Sequence, residues 1–159
     1  MHGEMTTGES ERAARARLRL WLRLLKTTRR IEAELRENLR REFSTTLPRF
    51  DVLAALNRFG DGLKMSELSG VLKVSNGNVT GIIDWLAANG LVERVPVPGD
   101  RRASMVRLTA RGQEEFARQA AAHGRWVDRL LAGFDSAEAE ALAARLAAEL
   151  RRMEGEGGE

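Results

Sequence analysis

A chain of 159 residues is long enough for one domain with an appendage, and it can bury a core without disulfides or metals. Hydrophobic residues at 43% and charged residues at 31% argue against global disorder, and the complete absence of cysteine excludes disulfide scaffolds, thiol nucleophiles, thiol redox sensors and thiolate metal sites. The net charge of +3 is modest but unevenly spread: between Arg12 and Arg41 eleven basic residues face only three acids, Glu32, Glu34 and Glu37.

A second basic cluster runs through Arg94, Arg101, Arg102, Arg107 and Arg111, while the acids gather towards the C-terminal third. That asymmetry suits a polyanionic partner; its bland counterpart is a solvated helical face. No apolar run approaches the ~18–20 residues of a membrane span. The first residues are charged and lack an apolar leader core, so a cytoplasmic protein with no membrane partner is expected. With only His2 and His123, a metal centre or a histidine base has little to work with. No paired carboxylates and no phosphate-cradling glycine loop stand out, so neither an enzyme nor a cofactor is expected.

Taken in chain order, residues 1–9 lack periodicity and are expected to be disordered. Ser10 suits a helix N-cap, and no proline or glycine follows until past Phe43. Leu18, Trp21, Leu22 and Leu25, then Ile31, Leu35, Leu39 and Phe43, recur at helical spacing. One amphipathic helix of about 50 Å results, longer than a small domain is wide, so a second copy of the chain is the economical cover for its apolar face.

Pro48 suits the first turn of a short helix carrying Phe50, Leu53, Leu56 and Phe59 and ending near Gly60. Leu63 to Met65 can form a very short strand. Two helices over 66–72 and 76–89, joined by Lys73-Val74-Ser75, come next, with Asn89-Gly90 as a C-terminal stop. Leu68, Leu72, Val74, Val79 and Ile82 are the expected shared core. Strands over 91–95 and 105–108 flank a polar tip from Pro96 to Arg102. A helix from Thr109 to about Leu131 follows, with Gly124 as a weak point. Asp135 and Glu138 then open a last helix striped by Leu142, Leu146 and Leu150, and residues 155–159 are expected to be a disordered tail.

Two helices joined by a short turn and followed by a polar hairpin make a winged helix-turn-helix. In that motif the start of the second helix enters the DNA major groove and the hairpin reaches the minor groove. The expected fold is therefore mainly α with a small β-hairpin wing between long terminal helices. Ser75, Asn76, Asn78 and Thr80 lie on the first turn of that second helix, where an asparagine amide can pair bidentately with adenine. Arginine at a wing tip fits a narrow, electronegative minor groove, and Asp100 can hold Arg102 extended.

The stretch Leu63–Gly112 resembles the MarR family of bacterial regulators. The pieces that carry the likeness are NGLVER, the wing DRR with LT six residues beyond its last arginine, and the glycine of LTARG. The resemblance implies DNA contact by Ser75, Asn76, Gly77, Asn78 and Thr80 in the recognition helix and by Asp100, Arg101 and Arg102 in the wing. It also implies dimerisation through the terminal helices, giving segments 10–47 and 113–154 for assembly around a DNA-binding domain at 48–112. A homodimer would bind a near-palindromic double-stranded operator and act as a repressor. A small effector, an aromatic acid or its thioester, a phenol or a lipophilic drug, would release it, with Trp21, Arg49 and Phe50 lining the cavity. Gly81 and Trp85 depart from the family pattern, which favours basic or polar residues there. For Gly81 the expectation is close approach to DNA or a packed neighbour; Trp85 reads as core or as a lid. A helical protein–protein interaction module is the alternative, although it leaves the basic hairpin unexplained.

Overall fold

The computed structural model describes residues 7–72 and 76–156, and the side chains at 76, 77 and 156 lie outside that description. Helix α1 runs Thr7–Phe43, 37 residues or about 55 Å. It starts three residues before the expected Ser10 cap, so Ser10 is helical and Thr7–Glu9 are not a frayed end. Helix propagation is cooperative, and Glu9 complements the positive N-terminal end of the macrodipole. At the other end Ser44 takes the left-handed conformation, φ 50°. Its N–H donates to the Arg40 carbonyl at 3.1 Å, the bond of an αL cap, and that of Thr45 to the Leu39 carbonyl at 3.4 Å.

Thr46 then caps α2, Leu47–Arg58: its hydroxyl accepts the Arg49 N–H at 3.4 Å, and Pro48 sits in the first turn. Strand β1, Leu63–Lys64, leads into α3, Met65–Leu72, and then α4, Asn76–Ala88. Gly62 at the entry to β1 has φ 105°, and a Cβ there would stand 2.8 Å from the Val106 carbonyl oxygen, so only glycine fits. The hairpin follows as β2, Val92–Val97, and β3, Asp100–Leu108.

All three strands pair antiparallel in the order β1-β3-β2. The hairpin turn is tighter than the polar run suggests, since Val97 opposes Asp100 across Pro98-Gly99 and Gly99 supplies φ 81°. Pro96 is tolerated because β2 is an edge strand. The register jumps from Pro96↔Ser104 to Val97↔Asp100, which leaves Arg101, Arg102 and Ala103 as extra residues on β3.

The core lies among α2, α3, α4 and the sheet: Leu53, Leu56, Leu68, Val79, Ile83, Leu86 and Val106 are at most 1% exposed. In α4 the buried position is Ile83 rather than the expected Ile82, because 79, 83 and 86 share one face. Ile82 and Leu72 pack half-buried at the rim, and Val74 lies outside the described residues. Helix α5, Ala110–Leu130, is unbroken through Gly124, and the chain divides into two compact units between His123 and Gly124.

In the second unit α6, Ser136–Glu156, opens with the expected capping box: the Glu138 N–H donates to Asp135 Oδ1 at 2.8 Å and the Asp135 N–H to Glu138 Oε2 at 3.0 Å. Gly155 and Glu156 belong to this helix rather than to a tail, glycine being readily accepted in a last turn. No described helix is long and apolar enough to cross a membrane.

Candidate nucleic-acid interface

The two motifs that punctuate the hairpin have structural work at its base. Asn89 and Gly90, the latter with φ 71°, stop α4, and the Leu91 N–H donates to the Leu86 carbonyl at 3.0 Å. Thr109 ties the far strand to that stop. Its hydroxyl donates to the Gly90 carbonyl at 2.6 Å and accepts the Gly112 N–H at 3.0 Å as the cap of α5. A Cβ at Gly112 would fall 1.9 Å from the Leu91 carbonyl oxygen, so the glycine of LTARG is a steric requirement. Recognition helix, wing and α5 are thereby locked at one junction.

The basic clusters divide once their partners are seen. Arg107 pairs with Glu93 at 2.6 Å, directly across the hairpin, and Arg94 pairs with Asp84 of α4. Both are internal braces and not free cations. Arg101 and Arg102 are exposed at the wing tip, and neither they nor Arg111 has a carboxylate partner among the described residues. The Asp100 carboxylate accepts the backbone N–H of Arg102 at 3.0 Å. It therefore shapes the tip as an Asx-type turn, and its hold on Arg102 is through the main chain. Along α1, Arg15, Arg30, Arg36, Arg40 and Arg41 pair with nearby glutamates, whereas Arg12, Arg17, Arg19, Arg23, Lys26 and Arg29 have none among the described residues.

On α4 the buried side carries Val79, Ile83 and Leu86, and the opposite side exposes Asn78, Thr80 and Gly81. Ser75 lies outside the described residues, as do the side chains at Asn76 and Gly77, whose backbone is helical. Among the described residues nothing stands within 4 Å of a Cβ built on Gly81, so none of them is the packed neighbour considered for it. Ser69 is half-buried on α3, and its Oγ is buried without a hydrogen-bond partner, in keeping with selection for small size.

Trp21, Arg49 and Phe50 are not brought together within the chain. Trp21 is 55% exposed on α1, and the 22 residues from it to Phe43 put it about 30 Å from the end that meets α2. Phe50 is buried and stacks on His123 at 4.7 Å, with Phe116 at 5.7 Å. Burial lowers the His123 pKa from its ordinary value. Arg49, one residue away, turns to α4 instead and sets its guanidinium over the Trp85 ring at 3.7 Å. Trp85 is half-buried against the core. The Arg49–Trp85 contact joins residues 36 apart in sequence, and no local pattern announces it. No cluster of three or more potential metal ligands exists among the described residues.

Residues 45–104 match the family model described as MarR family. An uncharacterised HTH-type transcriptional regulator of Bacillus subtilis, YsmB, is 34% identical over 91 residues, which is 55% of this chain and 62% of that relative. The chain thus spans less than two thirds of that relative. Among solved structures, a MarR family transcriptional regulator from Silicibacter pomeroyi is 32% identical, with TM-score 0.73 over 89% of this chain and 97% of its own. A point mutant of MarR from E. coli, solved in complex with operator DNA, is 26% identical, with TM-score 0.72 over 82% of this chain and 93% of its own. The shared fold, the near-complete coverage and the motifs locked at the wing base agree: this chain belongs to the MarR family of winged helix-turn-helix transcriptional regulators.

Proposed function

We propose that this regulator binds a near-palindromic operator as a homodimer, represses by occupying it, and is released by a small aromatic or lipophilic effector. The observation that carries the reading is the wing tip. Arg101 and Arg102 are exposed there without a carboxylate partner among the described residues, on a turn shaped by Asp100, while the neighbouring basic residues are consumed as braces. Asn78 and Thr80 on the outer side of α4, together with Ser75, Asn76 and Gly77, are the proposed major-groove readers. That the E. coli relative was solved with operator DNA supports the same partner here.

Assembly as a dimer is supported by the exposed apolar residues of the terminal helices, Leu18, Trp21 and Leu22 in α1 and Leu142, Leu150 and Met153 in α6. The effector reading rests on the aromatic group of Phe50, Phe116 and His123, ring types that suit a flat apolar ligand. Trp21 belongs with the face to be covered by the partner. A purely helical interaction module gives no role to the unpaired wing cations. The test is anisotropy with labelled duplexes over a range of salt: salt-steep binding, tighter on a selected palindrome than on random sequence, is expected. Salt-insensitive or absent binding to duplex DNA contradicts it.

A further inference from the structure

Helix α4 is short of positive charge for an element meant to enter a groove lined by phosphates. Its sequence from Asn76 to Ala88 contains no lysine or arginine, and its only charged side chain is Asp84. Arg94 neutralises that carboxylate from β2, so the helix arrives at DNA with no side-chain cation of its own. A cation stands against it nevertheless. Arg49, delivered by α2, lies 3.7 Å from the centre of the Trp85 ring and has no carboxylate partner among the described residues.

Trp85 follows Gly81 by four residues and Asn78 by seven, which sets all three on adjoining sectors of one side of the helix. Gly81 leaves the surface between them bare, with no heavy atom of the described residues within 4 Å of a would-be Cβ. Resting on the operator-binding reading above, we infer that Arg49 is a phosphate clamp of the recognition helix. Trp85 positions it, and Gly81 lets the duplex backbone come close enough to be reached. A guanidinium on an aromatic face keeps its in-plane N–H groups outward, and those groups match two phosphate oxygens. Stacking on Trp85 also restricts Arg49 before DNA arrives, so less freedom is lost on binding. The charge missing from α4 is thus supplied in space by a residue 27 positions before its first one.

The experiment uses the full chain, a selected operator duplex and a random duplex, both titrated by anisotropy from low to high KCl. Arg49→Ala should weaken both complexes alike and flatten the dependence of log K on log salt by about one unit per subunit. Arg49→Gln, which keeps the polarity and part of the aliphatic stem, should do the same, so a folding defect in the first variant leaves the second to decide. Gly81→Lys in the Arg49→Ala background places a cation in the open space and should restore most of the slope. Trp85→Phe should keep the full slope, since the charge remains, and weaken binding several-fold because the poorer platform holds it less firmly. An unchanged slope and affinity in both Arg49 variants, with wild-type binding intact, overturns the clamp and leaves the regulator reading standing. If wild type itself binds neither duplex in a salt-dependent way, both fall. Loss of a benzoate-induced thermal shift in Arg49→Ala with an unchanged DNA slope also overturns the clamp and returns Arg49 to the effector.

Discussion

The winged lobe and the terminal helices use the same side chains to opposite effect. In the lobe, Leu53, Leu56, Leu68 and Leu86 are at most 1% exposed, enclosed by α2, α3, α4 and a sheet of three short strands. In α1 and α6, Leu18, Leu20, Trp21, Leu22 and Leu150 stand 53–57% exposed. Apolar burial is worth roughly 25 cal/mol per Å², so the lobe's leucines stabilise it within one chain, while these exposed side chains contribute little until they are covered. On the proposed function, the lobe presents a rigid surface to DNA, and the exposed helices gain their burial when a second copy arrives. The contrast teaches that stability and association are separate properties of this chain, to be changed by different substitutions.

The largest expected effect breaks the lobe. Leu68→Ala should cost about 2–5 kcal/mol in urea denaturation, because the cavity sits where α3, α4 and the sheet meet. Leu22→Glu should leave the fold of the lobe unchanged by near-ultraviolet circular dichroism yet weaken self-association at least about tenfold, or ~1.4 kcal/mol, in sedimentation. Equal loss of lobe structure in both variants would erase the comparison.

A smaller effect comes from His123, stacked on Phe50. Burial lowers its folded pKa below the ordinary value of 6.5, so the unfolded chain takes up the proton first. Its contribution to stability is therefore whole above about pH 6.5 and is lost as pH falls towards the folded pKa. The urea midpoint should decline over that window, and His123→Phe should remove this part of the decline.

Much of the fold is legible in the sequence because its determinants are local. The Asn89-Gly90 stop, Pro48 in a first turn and the Asp135–Glu138 capping box each act over a few residues. The hairpin tip is less legible because Pro96, Arg101 and Arg102 look like a loop by composition, whereas edge-strand position and an irregular register admit all three. The start of α1 shifts by three residues because cooperativity outweighs a weak glycine. What cannot be read along the chain is proximity. Neither the spending of Arg94 and Arg107 on ion pairs nor the turning of Arg49 away from Phe50 and onto Trp85 has a local signature.

The wing is where DNA binding is tested most directly. The decisive measurement is the salt dependence of duplex binding by Arg102→Ala beside Asn78→Ala, on operator and random DNA. Arg102→Ala should weaken both complexes and flatten the slope by about one unit per subunit, since an exposed cation without a carboxylate partner among the described residues is removed. Asn78→Ala should cost ~1–3 kcal/mol on the operator alone and leave random-duplex binding nearly intact. If Arg102→Ala binds operator with wild-type affinity and slope, the hairpin is only a structural turn and the central claim is wrong.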